Sequence, residues 1–370
     1  TEDHAQARMV LSTALEGTPS HAYLFHGPAG TGKRTVARAF AAELLAEGAP
    51  DPEGARLRVQ HGTHPDLTWV RPTGAHEMRV SDVDEAVVAA ATRTPFESSR
   101  RVFVLERADT MSDTVANRML KTLEEPPAFV HLILLTDALG QVLETVVSRC
   151  QLVRFDPLPA ERIASILESE GIEPARAGAC GRLALGNLTR ARFLASEDGQ
   201  ALRGDAERMV LDALAGEDRD VRAGEPWAPL LTRAEGRKRE AEAEVGEAAE
   251  RRLADEPKGR DRSAMEREFD ETAKRDGRRA RTEVLDLGLE LVALAFRDLV
   301  CVAERAEGAV LGTDRIEALA PAARGRDARR LRAAVERCED TRLSLSLNVT
   351  EELALSALTV RLRRLVGSGG

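Results

Sequence analysis

The sequence predicts a layered α/β domain on a parallel sheet of the P-loop type, followed by a small helical domain and an all-helical C-terminal domain. Three observations predict this. Five short apolar runs without polar alternation are spaced by amphipathic stretches, the pattern of strands buried on both faces. A glycine-rich loop ending in lysine joins the first run to the first amphipathic stretch. After Pro157 and Pro159 the strand-like runs stop and only helical periodicity remains.

The candidate strands are Ala22–His26, Leu67–Val70, Val102–Leu105, Leu132–Thr136 and Leu152–Phe155, with helical stretches near 33–47, 80–93, 112–124 and 140–148. This β-then-α rhythm marks a layered α/β domain, placed at 1–157. Residues 160–195 read as short helices, with Ala164, Ile166 and Leu167 in the first and Leu183, Leu185 and Leu188 later, and give a small domain over 158–200. The stretch 201–282 reads as a charged connector, partly helical or disordered. From Arg233 to Glu283 both charge signs are dense, and Val245, Leu253, Met265 and Phe269 are the main large apolar residues. So little apolar area offsets ordering entropy poorly. Over 283–366 helical periodicity returns. Leu285, Leu289, Val292, Ala293 and Phe296 recur at helical steps, and Leu353, Leu355, Leu358, Val360, Leu362 and Leu365 form a second apolar face.

Composition narrows the function. The 370 residues are 43% hydrophobic and 31% charged, with a net charge of −9. That balance is globular, and no run approaches the ~18 apolar residues of a membrane helix. The first residues, Thr1–Val10, carry no signal-peptide pattern, so a cytoplasmic protein is expected. The acidic balance argues against an autonomous DNA-binding domain. Aromatics are only 3%, so the core must be mostly Ala, Val and Leu. The cysteines, Cys150, Cys180, Cys301 and Cys338, lack metal-ligand spacing and read as isolated thiols.

The strongest local motif is Gly27-Pro28-Ala29-Gly30-Thr31-Gly32-Lys33-Arg34, which fits G-x-x-x-x-G-K between a strand and a helix. Glycines let backbone N–H groups turn inward as an anion nest, and Lys33 would reach terminal phosphates. Lys33 either binds phosphate or hydrogen-bonds an empty loop; the sequence does not separate the two. The next position should be Ser or Thr, to hold Mg²⁺, but it is Arg34, which cannot ligate a cation. Thr35 comes one residue late, a rotation of about 100° along a helix. A hydrolysing site would carry Asp-Glu after the third strand; here Glu106-Arg107 stands there. Glu106 retains the capacity to accept from hydrated Mg²⁺, whereas Arg107 cannot be a general base. Asp109, two residues on, reads as a cap or turn residue. Two independent losses argue against productive hydrolysis and leave nucleotide binding without hydrolysis open.

Downstream lie Asn117-Arg118-Met119-Leu120-Lys121-Thr122-Leu123-Glu124-Glu125-Pro126-Pro127, then Leu132–Asp137, then Ser148-Arg149-Cys150-Gln151. With the phosphate loop, this order resembles the bacterial DNA polymerase III clamp-loader branch of the AAA+ proteins. Gly186-Asn187-Leu188-Thr189-Arg190-Ala191-Arg192 is similar to that family's lid. Arg279-Arg281-Thr282 with Phe296-Arg297-Asp298-Leu299, and Asn348 with Leu353-Ala354-Leu355, resemble its helical collar. The resemblance leaves 199–278 unmatched. It makes the fold an AAA+ module, a helical lid and an oligomerising collar. Degenerate nucleotide motifs beside an intact Ser-Arg-Cys resemble the delta-prime branch rather than the gamma/tau ATPases.

The resemblance implies a subunit without ATPase activity of its own, active within the DNA-directed DNA polymerase III holoenzyme. Arg149, flanked by Ser148 and Cys150, would be an arginine finger for a neighbour's nucleotide, where the planar, permanently charged guanidinium neutralises γ-phosphate charge. The implied partners are gamma/tau ATPases, the delta subunit, the sliding clamp transiently, and primed DNA through the assembled complex. No membrane is implied. Thr136 at a strand end reads equally as a γ-phosphate sensor or a capping residue, and Arg190 as a lid arginine or a surface pair. Many relatives carry a four-cysteine zinc module between the phosphate loop and the second strand. Leu45–Pro65 has only His61 and His64 as soft ligands, so no zinc is expected. The competing reading is an active gamma/tau-like ATPase with divergent motifs. A stand-alone nucleotide-binding module is opposed by Ser148-Arg149-Cys150 and the Glu-Glu-Pro-Pro string.

Overall fold

Each of the five apolar runs is a strand, and all five pair in parallel. The computed structural model describes residues 4–74, 77–216, 225–253, 259–346 and 349–367; Asn348 and residues 254–258 of the charged stretch lie outside them. The strands are β1 (Ala22–His26), β2 (Leu67–Val70), β3 (Arg101–Leu105), β4 (Val130–Thr136) and β5 (Gln151–Arg154), ordered β2-β3-β4-β1-β5. The register sets His26 beside Thr136 and Leu105 beside Leu134. The carboxyl ends of β1, β3 and β4 therefore open on one edge, where open α/β sheets hold their ligands.

The sheet is buried on both faces. All seven residues of β4 are buried. Tyr23, Phe25, Val104, Ile133 and Leu135 pack on one side with Phe40 and Leu44 of α2 (Lys33–Ala46). Leu24, Phe103, Leu105, Leu132 and Leu134 pack on the other with Met119 and Leu123 of α5 (Asp113–Glu124). Two-sided burial is why these runs lack polar alternation. Two helices went unpredicted. They are α1 (Ala5–Glu16) and α3 (Pro52–His61), the latter with Pro52 in its first turn and Asp51 accepting from the Gly54 N–H at 3.0 Å. The helical stretch at 80–93 breaks into α4 (Val80–Val83), a π-helical segment over 84–89 and a 3-10 turn over 90–92. That at 140–148 reduces to a 3-10 turn and α6 (Glu144–Val147).

The chain divides into two compact units. The first is Thr1–Pro159 with Leu185–Thr189, and the second is Ala160–Ala184 with Arg190–Gly370. The second is helical throughout its described residues: α7 (Ala160–Ser169), α8 (Pro174–Leu183), most of α9 (Leu188–Ala195), α10 (Glu197–Ala215), α11 (Ala228–Leu253), α12 (Arg260–Ala303), α13 (Ile316–Ala323), α14 (Ala328–Ser346) and α15 (Glu351–Val366). The charged stretch is mostly the hairpin of α11 and the first half of α12. Its few large apolar residues converge: Val245, Met265 and Phe269 line one cavity of about 370 Å³, and Leu253 is buried. Ion pairs such as Arg281 with Glu235 and Glu351 tie the hairpin to α15.

On α12 the predicted face is buried from Leu285 to Phe296. On α15 the prediction needs correcting. Leu355, Leu358, Leu362 and Val366 are buried, while Leu353 and Val360 are 68% and 43% exposed. Two residues at 100° each put Leu353 about 200° from Leu355, so the two cannot share a face. No described helix is long and apolar enough to cross a membrane.

Candidate functional site

The phosphate loop runs from β1 into α2 and is shaped by three glycines at positive φ, Gly27, Gly30 and Gly32. Two are also required by close approach. A Cβ on Gly27 would lie 2.0 Å from the Phe155 carbonyl oxygen, and one on Gly30 would lie 1.9 Å from the Asn187 side chain. Asn187 belongs to the Gly-Asn-Leu-Thr-Arg segment, which the sequence marks only as lid; its seat on the loop follows from the tertiary structure.

Lys33 is 6% exposed and turns inward. Its Nζ donates to the Gly27 and Pro28 carbonyls at 2.5 and 2.7 Å and pairs with Asp137 at 2.7 Å. Thr31 donates its hydroxyl to the Pro28 carbonyl at 2.9 Å, and the His4 ring reaches the Thr31 carbonyl at 2.8 Å. His26, at the end of β1, is held below the ordinary histidine range by burial first and then by Arg154.

In the acidic half of the site, Arg34 Nη2 lies 2.7 Å from Glu106 Oε1. The same oxygen accepts from Trp69 Nε1 at 2.6 Å and Arg71 Nε at 3.3 Å. Glu106 is 4% exposed. An anion so buried needs such partners. Hydrated Mg²⁺ does not fit here, because one guanidinium stands where its hydroxyl ligand should be and two guanidinium groups already neutralise the carboxylate. Neither Trp69 nor Arg71 was marked by sequence; the β2–β3 register brings them beside Glu106.

Arg107 adopts the left-handed region, φ 56° and ψ 52°, and caps the 3-10 turn at 108–110. That conformation costs a non-glycine residue about 1–2 kcal/mol. Thr136 donates to Asp109 Oδ1 at 2.7 Å and accepts from the Ala138 N–H at 3.0 Å. The loop, Glu106, Arg107 and Thr136 thus gather at the carboxyl edge of the sheet.

Ser148, Arg149 and Cys150 lie between α6 and β5. Arg149 Nε donates to Glu124 Oε1 at 2.9 Å, and Nη1 donates to the Thr145 carbonyl at 2.7 Å and to Ser148 Oγ at 3.2 Å. Glu124 is the first glutamate of the Glu-Glu-Pro-Pro string, so the two most specific motifs meet in one ion pair, which the sequence did not foretell. Arg149 and Glu124 side chains are 33% and 47% exposed. Burial pushes the Cys150 thiol up to about 12, which removes it as a nucleophile. Arg190, in the second unit, pairs with Glu290 at 2.8 Å. His64 is buried, its Nδ1 accepting from the Asp66 N–H at 3.1 Å. Among the described residues no group of three or more His, Cys, Asp or Glu side chains is placed to hold a metal ion.

Residues 3–159 match the family described as DNA polymerase III, delta subunit. The delta-prime subunit of Bacillus subtilis DNA polymerase III is 35% identical over 159 residues, 42% of this chain and 48% of that protein. That of Pseudomonas aeruginosa is 38% identical over 146 residues, 38% and 44% of the two chains. The tau subunit of Bacillus subtilis is 31% identical over 178 residues, 45% and 31% of the two chains. The chain thus spans about half the length of the delta-prime relatives it matches. Among solved structures, a gamma-subunit-related protein of Thermotoga maritima aligns over 98% of this chain and 99% of its own, with a TM-score of 0.51 and 14% identity, a likeness of fold. Through its first unit, the chain is similar to clamp-loader subunits of DNA polymerase III, delta-prime foremost.

Proposed function

We propose that this chain is a delta-prime-like subunit of a clamp loader, hydrolyses no ATP itself, and supplies Arg149 to the nucleotide of a neighbouring subunit. In this reading it works beside gamma/tau-type ATPases and a delta-type subunit to place a sliding clamp on primed DNA during replication. Residues 158–200 act as its lid and 283–366 as the collar through which it joins the ring.

One observation carries the inert half of this reading: the Arg34–Glu106 ion pair at 2.7 Å. The two positions that would hold Mg²⁺ hold each other instead. With Arg107 where the base that activates water would stand, the site lacks both a metal seat and a proton acceptor. Nucleotide bound at the loop would remain unhydrolysed.

The exposed geometry of Arg149 supports the other half. A half-exposed arginine–carboxylate pair stabilises the fold by only about 0–1 kcal/mol. Glu124 therefore orients the guanidinium without trapping it, and a neighbour's triphosphate displaces the carboxylate at small cost. The planar fork then spreads positive charge over the γ-phosphate oxygens as the bond to the leaving group breaks.

The test is ATP turnover by the complex reconstituted with cognate gamma/tau and delta subunits and primed DNA. This chain alone is expected to give none, and Arg149→Ala to reduce turnover of the complex at one site. Robust turnover by the chain alone would replace the proposal with the gamma/tau-like ATPase reading.

A further inference from the structure

The loop between β1 and α2 stands beside more positive charge than a metal-assisted phosphate site carries. Lys33, Arg34 and Arg107 bring three positive charges to the carboxyl edge of the sheet, against one negative charge on Glu106. Arg71 on Glu106 and Asp137 on Lys33 offset each other, and counting Asp109 still leaves the balance positive. Ser or Thr, Asp and Glu in place of Arg34, Glu106 and Arg107 would leave the same edge negative until a divalent cation arrived. Here two guanidinium groups supply that charge permanently. Mg²⁺ demands a near-octahedral set of oxygens. Arg34 offers none, and Oε1 of Glu106 is already taken by Arg34, Trp69 and Arg71.

The groups that receive phosphate are nevertheless kept. Gly27, Gly30 and Gly32 hold the positive φ of an anion nest. Helix α2 opens with no acidic residue in its first turn and no side-chain cap at Gly32. Its first amides therefore remain donors to an incoming anion. No neighbouring group lies within 4 Å of where a Cβ on Gly32 would stand. Arg34 is 52% exposed and spends only Nη2 on Glu106, which leaves the rest of its fork for another oxygen. Arg107 is half-buried, and among the described residues no ion pair ties its guanidinium down.

We propose that this loop binds the phosphate chain of a nucleotide free of Mg²⁺, with Arg34 and Arg107 in the metal's electrostatic role. The proposal deepens the inert-site reading above and rests on the same Arg34–Glu106 pair. Arg34 stays on Glu106 while it meets the phosphate, so the loop keeps its shape. A free nucleoside triphosphate carries more negative charge than its Mg²⁺ chelate, and a positive edge binds the free form more tightly. The chelate would also press a divalent cation against two guanidinium groups.

Isothermal titration calorimetry on the full chain tests this with ATP, ADP and pyrophosphate, each in EDTA and in excess MgCl₂ at matched ionic strength. ATP and ADP are expected to bind in EDTA, and Mg²⁺ to weaken ATP by about fivefold or more. Arg34→Thr should weaken ATP in EDTA about tenfold, the worth of one charge-assisted hydrogen bond, and should shrink the Mg²⁺ penalty. Arg107→Gln should act in the same direction. The parent chain alone decides the sign of the metal effect, so the proposal can fail without any variant. No binding in EDTA, or tighter binding with Mg²⁺, overturns it. Pyrophosphate bound as tightly as ADP overturns the nucleotide as occupant. ATP hydrolysis by the chain alone defeats this proposal and the inert-site reading together, whereas Mg²⁺-dependent binding without hydrolysis defeats this proposal only.

Discussion

The phosphate loop and the Arg149 edge belong to the same unit and are built from the same kinds of group, yet their polar atoms face opposite ways. At the loop, Lys33 is 6% exposed and bonded to two loop carbonyls and Asp137, and Glu106 is 4% exposed with three donors on one oxygen. At the edge, Arg149 and Glu124 form a pair 33% and 47% exposed. Buried pairs cannot be broken cheaply, whereas exposed ones exchange partners for little. On the proposed function the loop is architecture and the edge is the part that meets a second molecule. A site whose charges are mutually satisfied keeps its shape; an arginine held at the surface by one carboxylate is available.

The sharpest way to break the comparison is Arg149→Ala. Steady-state turnover should show hydrolysis at the neighbouring site falling by ~10³–10⁵-fold, the range for fingers supplied in trans. The chain's own stability to urea should change by less than about 1 kcal/mol. A large loss of stability would place Arg149 with the architecture.

Gly30→Ala tests the loop in the opposite sense. The new Cβ would need φ +74° and would lie 1.9 Å from the Asn187 side chain. A loss of about 2–4 kcal/mol in urea denaturation is expected, from backbone strain and overpacking together. Adding Asn187→Ala should return the overpacking part and leave about 1–2 kcal/mol of strain.

A smaller loss should follow Glu106→Gln, which leaves Arg34 and Arg71 facing a neutral amide. Breaking a fully buried pair costs about 3–5 kcal/mol; with the arginines 52% and 55% exposed, about 2 kcal/mol is expected. Arg34→Thr should cost less, because Arg71 and Trp69 still serve the carboxylate. If Arg34→Thr proves the costlier change, the pair is not the centre of the site.

Acid should separate the regions least, and by a known sign. Burial lowers His131 and His64 below the ordinary histidine value, in both cases as the largest cause. The neutral ring is the folded form, so this stability is fully present above about pH 6.5 and is lost as pH falls from there through the lowered folded values. Each histidine contributes at most about 1.4 kcal/mol per pH unit in that window. Urea midpoints at pH 7.5, 6.5 and 5.5 read the slope, and His131→Gln should flatten it. The Arg149–Glu124 pair carries no histidine and should show no such slope.

Much of the fold is legible in the sequence. Five apolar runs gave five strands because a sheet covered on both faces leaves no position for polar alternation. The loop was legible because an anion nest needs glycine at fixed places, and Gly27, Gly30 and Gly32 all have positive φ. Helix α3 was missed because its apolar face is only Ala55 and Val59, too short a pattern to register. On α15, counting leucines without turning the helix put Leu353 and Val360 on the wrong face.

By itself the sequence determined the α/β-then-α order, the loop, the missing metal ligand at Arg34 and the family likeness carried by Glu124-Glu125-Pro126-Pro127 and Ser148-Arg149-Cys150, because each depends on residue type at short spacing. That Arg34 answers Glu106, that Asn187 rests on Gly30 and that Glu124 holds Arg149 emerges only in the folded chain. These partners stand from 25 to 157 residues apart in the chain. Charge and hydrogen-bond complementarity act through space, and no local pattern encodes which distant group will be there.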